Sequence, residues 1–199
     1  CGIDGDFFLD TSNNDDALAL YIDRLTDIEY MHPAGKMRAY NNAGYNMVGR
    51  IVEKSRGKAI NLVMQERLFT PIGLQDVVSS SDDYIKHAAA VGHDVNAEDN
   101  SFSVCKDLVG AFSEVAMGSL VAMSSLSLAK IGQLYLNDGV TQDGKRLVST
   151  QSLAYMKSKT TGAVNYDGSR VWASQTGSGM TLFSHYGGTC GQNAWLAIL

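Results

Sequence analysis

Pro33-Ala34-Gly35-Lys36-Met37-Arg38-Ala39-Tyr40-Asn41-Asn42-Ala43-Gly44-Tyr45-Asn46-Met47-Val48-Gly49-Arg50-Ile51-Val52-Glu53 is the stretch that decides the fold. Tyr45, Val48, Ile51 and Val52 recur at turn spacing, which predicts a helix with those four as its buried stripe. Asn42 suits its N-cap and Gly57 its end. Just ahead, Tyr40-Asn41-Asn42 places a phenol and a carboxamide two positions apart, pointing the same way if the segment is extended. A phenol near a cation can pass a proton to or from a reacting group. A carboxamide can both donate to and accept from a substrate amide. The plain alternative is that Tyr40 packs in the core and Asn42 does no more than cap the helix.

Upstream, Asn13-Asn14-Asp15-Asp16 reads as an N-cap with acidic first-turn residues, followed by Leu18, Tyr21, Ile22, Leu25 and Ile28 at helical spacing. His32-Pro33-Ala34-Gly35 breaks that pattern. Downstream, Ile60, Val63, Met64 and Leu68 predict a third helix, ended by Pro71 and a turn through Gly73. The stretch 79–113 is polar and aperiodic and reads as a long excursion. Leu128, Ile131, Leu134 and Tyr135 define another helix closed by Asn137-Asp138-Gly139. Gln142-Asp143-Gly144-Lys145 reads as a tight turn, and Ser149 caps a helix to about Ser158. Three strands follow, Arg170 to Ser174, Met180 to Tyr186 and Asn193 to Leu199, between glycine-rich turns. Helices first and strands last predict an α+β layout with an antiparallel sheet.

A second chemical candidate lies in those strands. His185 ends a strand in Ser184-His185-Tyr186-Gly187-Gly188-Thr189-Cys190-Gly191, and the two glycines let a ligand approach the backbone closely. The imidazole can hydrogen-bond substrate or move a proton, and a strand N–H can bind a developing oxyanion. A glycine-rich hairpin with an incidental histidine is the alternative.

Ser-x-x-Lys, which would set a nucleophile one helical turn from its base, occurs three times: Ser55 to Lys58, Ser103 to Lys106 and Ser127 to Lys130. A chain of this composition produces such matches by chance. Ser55 reads as a helix-end residue, and Ser127 and Lys130 read as facing water. There is no G-x-S-x-G, P-loop or G-x-G-x-x-G. His87, His93 and Asp94 lack ligand spacing and read as solvated loop residues. Cys190 five residues from His185 is a poor cysteine-hydrolase pair, and Trp195 reads as core. Cys1, Cys105 and Cys190 suggest neither a disulfide framework nor a zinc site. No metal or cofactor is expected.

A formal charge of −5 offers no basic footprint for nucleic acid or anionic membrane, and no apolar run is long enough to span a bilayer. The chain opens on a turn-like Cys1-Gly2-Ile3-Asp4-Gly5-Asp6 and closes on the apolar run Asn193 to Leu199. An unpartnered apolar strand end reads as a fragment with N- and C-terminal parts missing.

Taken together, the Pro33 to Glu53 stretch, Leu68-Phe69-Thr70-Pro71-Ile72-Gly73-Leu74, Met117-Gly118-Ser119-Leu120 and His185-Tyr186-Gly187-Gly188 resemble the serine β-lactamase-like family. That family includes class C β-lactamases, penicillin-binding DD-peptidases, D-aminopeptidases and related esterases. Cys1-Gly2-Ile3 resembles the turn after its nucleophile helix. The resemblance implies a β-lactamase/transpeptidase-like α+β fold, a partial catalytic domain over 1–199, mainly helical through 165, with antiparallel strands over 166–199. It implies a serine hydrolase acting through an acyl-enzyme on a small ester, amide or peptide, with Ser-x-x-Lys upstream of Cys1. All three local matches follow Tyr40 and so fall in the wrong place.

Carried over, Tyr40 is the proton-shuttling phenol, Asn42 the substrate-amide contact, and His185 stands where many relatives have lysine. Gly187 completes the motif on the substrate side, and Gly188 offers the second oxyanion N–H. Histidine for lysine moves weight from lactams toward esters, amides and D-amino-acid peptides. A non-catalytic sensor that keeps the cleft is the rival reading, and a self-sufficient hydrolase using Ser127 or Cys190 is a second. The family also suggests a bacterial cell envelope or periplasm.

Overall fold

The computed structural model describes residues 15–26, 28–33, 36, 40–79, 84, 86–87, 89–105, 121–158 and 173–199. The expected turn at Cys1-Gly2-Ile3, the cap at Asn13-Asn14, Gly35, Lys106, Met117 to Leu120 and the strand start at Arg170 lie outside them.

Among the described residues, helices precede the sheet and flank it. The first is α1, Ala17–Arg24, which buries Ala17, Leu18 and Tyr21 against α2, Asn42–Arg56. The cap of α2 is Asn41, not Asn42: Asn41 is extended and its Oδ1 accepts the Gly44 N–H at 2.7 Å. The register thereby advances one residue and releases the Asn42 carboxamide from capping. The buried face of α2 also differs from expectation. Ala43, Gly44, Asn46, Gly49 and Glu53 are buried, whereas Val48 and Ile51 are 48% and 67% exposed. Small residues at helical spacing let α1 and the next helix approach closely, so the apolar stripe was on the wrong side of the helix.

Gly57 ends α2. Glu53, buried at the last turn, accepts from Arg50 at 2.9 Å and from the Ile60 N–H at 3.0 Å, so one carboxylate joins α2 to the helix that follows. That helix runs as α3, Ile60–Met64, a π-helical turn, Gln65–Phe69, and α4, Thr70–Ile72. Pro71 does not end it, contrary to the sequence expectation. The widened turn ahead of Pro71 makes room for the ring and its missing N–H. Gly73, at φ 76°, takes the left-handed conformation that stops the helix.

The excursion after residue 79 contains two strands that the sequence pattern concealed. They are β1, His93–Val95, and β2, Phe102–Val104, paired antiparallel as a small hairpin with every residue exposed. A period-2 pattern needs one buried face, and this hairpin has none.

Helix α5, Ser125–Leu136, and α6, Thr150–Lys157, are capped by Ser124 and Ser149, and the Gln142 to Lys145 turn forms as expected. Three strands then make an antiparallel meander: β3, Ala173–Gly177, β4, Met180–Thr189, and β5, Gln192–Ile198. β4 runs on through Gly187 and Gly188, so these glycines lie within a strand and the turn is Cys190-Gly191. The sheet packs on α5 through β5. A side chain at Gly132 would bring a Cβ within 3.2 Å of Leu196, so the missing side chain lets helix and sheet meet. Trp195, expected in the core, is 64% exposed.

Candidate active site

The first half of the site stands at the N-terminus of α2. Asn41 commits its side chain to the Gly44 amide, which holds the chain extended just before the helix. Tyr40 is therefore displayed rather than packed: it is 77% exposed, and its hydroxyl donates to Asn42 Oδ1 at 3.1 Å. Both bland alternatives for this segment fail, since Tyr40 is not a core residue and Asn42 is not the cap. A phenol O–H bonded to a carboxamide keeps both polar groups at one surface point, where each can meet a ligand.

The second half is the end of β4, and hairpin register fixes which way its backbone points. Gly177 and Met180 flank the two-residue turn Ser178-Gly179, with φ 53° and 77°. Thr189 and Gln192 flank Cys190-Gly191. The pair closing a two-residue turn exchanges both hydrogen bonds, and partners alternate by twos from there. Counting from Met180 turns the Ser184, Tyr186 and Gly188 amides toward the β3 edge. Counting from Thr189 turns His185 and Gly187 toward β5, so the two counts agree. Described pairing with β3 ends at Ser184 opposite Ala173. The Gly188 N–H thus points to the β3 side of the strand, away from β5.

Side chains alternate as well. His185 shares the sheet face of its partner Leu196, the face that meets α5, and is exposed. At Gly187, on the same face, a Cβ would meet nothing within 4 Å, so space is open beside the backbone. Gly188 lies on the opposite face, close to Tyr186 and Asn193, where the Tyr186 hydroxyl donates to Asn193 Oδ1. Tyr40 with Asn42, and His185 with Gly187 and Gly188, are two preformed pieces from distant parts of the chain.

The local Ser-x-x-Lys at Ser127 does not face water, correcting the sequence reading. Ser127 is 5% exposed, and its hydroxyl donates to Asp76 Oδ1, while Lys130 Nζ donates to the Gly73 carbonyl at 3.1 Å. The pair clips α5 onto the end of α4. Hydrogen bonds from Ser124, then Ser127, hold the Asp76 carboxyl down at about 2. The sequence offered no signal for Asp76, because it lies 51 positions away.

The cysteines also correct the sequence reading. Cys105 and Cys190 form a disulfide between residues 85 apart, with Cα atoms 5.9 Å apart. Wide spacing concealed it, since only folding brings the two together. Cys190 thereby loses the thiol that a nucleophile needs. Asp94 Oδ2 lies 3.2 Å from Cys190 Sγ, a contact to which the disulfide sulfur brings no hydrogen. Asp94, Cys105 and Cys190 cluster within 4.8 Å, yet sulfurs joined in a disulfide are not thiolate ligands. His93 is exposed in β1, with Nδ1 2.9 Å from the Val91 carbonyl.

The β-lactamase family model matches residues 2–198. Among curated proteins, penicillin-binding protein 4 of Amycolatopsis lactamdurans is 27% identical over 206 residues, covering 100% of this chain and 53% of that protein. The chain therefore spans about half the length of this relative. Among solved structures, the octameric penicillin-binding protein homologue from Pyrococcus abyssi superposes with a TM-score of 0.76 at 16% identity, covering 98% of this chain and 43% of that one. The D-amino acid amidase from Ochrobactrum anthropi SV3, complexed with D-phenylalanine, gives 0.53 at 18% identity, over 82% of this chain and 46% of the amidase. At these identities the two structures speak for the fold. No described helix is long and apolar enough to cross a membrane.

Proposed function

Because the chain belongs to the β-lactamase family, we propose that it carries the receiving half of an acyl-transfer site in a serine hydrolase acting on a small ester, amide or D-amino-acid peptide. In this reading a serine upstream of Cys1, with a lysine one turn away, attacks the substrate carbonyl. Tyr40 gives the serine's proton to the leaving group, an acyl-enzyme forms, and water releases the acid. The Asn42 carboxamide holds the substrate amide. The Gly188 N–H supplies one oxyanion donor, and His185 hydrogen-bonds the substrate from the neighbouring face. No step uses a metal.

The observation that carries this reading is the exposed Tyr40 hydroxyl bonded to Asn42 at a helix N-terminus. A core phenol would serve packing alone. Histidine at 185 supports esters and amides over lactams, since a lysine would be the stronger anchor for a substrate carboxylate. The name of the Ochrobactrum amidase, a D-amino acid amidase, points the same way. The Cys105–Cys190 disulfide supports an oxidising location outside the cytoplasm.

The test is Tyr40→Phe in the full-length protein, read as turnover of a nitrophenyl ester. Loss of a positioned proton donor should lower kcat by about 10²–10⁴. Unchanged turnover refutes the assignment. Complete absence of turnover and of labelling by a serine-directed fluorophosphonate would favour the sensor reading instead. The self-sufficient readings have lost support, because Ser127 is bound to Asp76 and Cys190 is in a disulfide.

A further inference from the structure

Among the described residues, the β1–β2 hairpin has little of its own to hold it in place. Each strand is three residues long, and all six residues are exposed, including Val95, Phe102 and Val104. A two-stranded hairpin of that kind is marginal in water. What fixes it is a set of ties to one short segment, Cys190 to Gln192, the turn and first residue after β4. Cys105, just beyond β2, is bonded to Cys190, and its own N–H donates to the Gly92 carbonyl at 2.9 Å. Gly191 approaches so closely that a Cβ there would lie 2.1 Å from the His93 nitrogen. Gln192 Nε2 donates to the Ala90 carbonyl and, at 2.9 Å, to the Tyr84 hydroxyl, which itself donates to Ala90 at 2.7 Å. The disulfide, Gly191 and Gln192 all converge on the turn two residues past Gly188, about 7 Å along the strand.

We propose that the Cys105–Cys190 disulfide is a positioning and redox-sensitive tether, which holds the β1–β2 hairpin beside the end of β4 so that the hairpin bounds the substrate cleft next to Gly187 and Gly188. Neither cysteine touches the reacting atoms. They act through the hairpin, by setting what fits beside the turn that ends β4. Reduction by a dithiol of the thioredoxin class releases the tether. The dithiol gives up two electrons and two protons, Cys105 and Cys190 become thiols, and the reductant becomes a disulfide. The noncovalent ties to Gln192 and Gly191 then hold the hairpin alone, and the cleft widens. The kinetic part of this inference rests on the acyl-transfer reading above; the structural part does not.

The experiment uses the full-length protein, wild type before and after dithiothreitol, alongside a Cys105→Ser/Cys190→Ser double variant. Two readouts are taken. One is limited proteolysis mapped along the chain. The other is kcat and KM for a nitrophenyl acetate and for a nitrophenyl ester of a long acyl chain. Reduction should speed cleavage within 89–105 by roughly tenfold or more while α2 and α5 stay protected, because only local opening is released. KM for the long ester should shift by about tenfold, with kcat for the acetate within about twofold, the mark of altered binding rather than lost chemistry. The double variant should match the reduced protein, and reoxidation should restore the wild type alone.

Cleavage and KM unmoved by reduction would overturn the proposal. So would an equal fall in kcat for both esters with loss of protection throughout, which marks a general staple. Failure of the acyl-transfer reading is told apart by Tyr40→Phe: if that variant keeps full turnover, the proton-shuttle role of Tyr40 fails while the proteolysis result still decides the tether.

Discussion

Gly191→Ala tests the packing on which the hairpin's position depends. Gly191 has φ 63°, and a methyl group there would sit 2.1 Å from the His93 nitrogen and 2.4 Å from the His93 oxygen. These are backbone atoms, which cannot swing aside as a side-chain tip can. Ordinary contact needs about 3.4 Å, so β1 must retreat by roughly 1 Å or the turn must change hand. Overpacking costs about 1–3 kcal/mol and a left-handed alanine about 1–2 kcal/mol, giving about 2–5 kcal/mol together. At about 2–4 °C per kcal/mol for a chain of this size, the melting temperature should fall by roughly 4–20 °C. Gly187→Ala is the matched control. It lies in the same hairpin, but its Cβ would meet nothing within 4 Å. Its folding cost should stay within about 0.5 kcal/mol. Both variants of the full-length protein should be melted by circular dichroism, with free thiols titrated to confirm the disulfide. If Gly191→Ala melts within about 2 °C of wild type and matches the control, β1 does not lie against this turn and the reasoning is wrong.

Other outcomes follow from the same geometry. Ser127→Ala removes a buried hydroxyl from Asp76 but no reacting group, so ester turnover by the full-length protein should persist; its loss would revive Ser127 as a nucleophile. The Asp76 carboxyl is held at about 2, below its usual 3.8, so its clip contributes fully above about pH 4 and is lost as pH falls toward 2. The urea-midpoint difference between wild type and Ser127→Ala should therefore shrink across that window, and a difference constant down to pH 2 would deny the clip. Glu53→Ala strands the Arg50 guanidinium and the Ile60 N–H and should cost about 2–4 kcal/mol, whereas Glu53→Gln keeps an acceptor for Ile60 and should cost less. Urea midpoints of both variants equal to wild type would show that the α2–α3 junction does not depend on this side chain. His185→Ala should lower kcat/KM for an amide substrate by roughly tenfold to a hundredfold, with His185→Gln recovering part of it by retaining a donor. No change in either variant would remove His185 from the site.

Local signals in the sequence determined much of this protein. Gly57, Asn137-Asp138-Gly139, Ser149 and the Gln142 to Lys145 turn act within a few residues of themselves, and each formed where the residues placed it. The three-strand meander was legible for the same reason, because alternation and turn glycines are neighbours in the chain. The ordered motifs from Pro33 to Gly188 carried the family, which matches residues 2–198.

Tertiary structure decided what depended on distant partners. The buried face of α2 went to Ala43, Gly44, Asn46, Gly49 and Glu53, the last of them tied to Arg50 and the Ile60 N–H, whatever the apolar stripe suggested. Ser127 found Asp76, and Cys105 found Cys190, across 51 and 85 positions that no local pattern spans. Even the one-residue shift from Asn42 to Asn41 as cap turned on three-dimensional geometry, since either carboxamide could have served and only one reaches the Gly44 N–H. That shift is what leaves Tyr40 and Asn42 together at the surface. The chain's letters named the groups, and the packing of separate segments determined which of them were left available for chemistry.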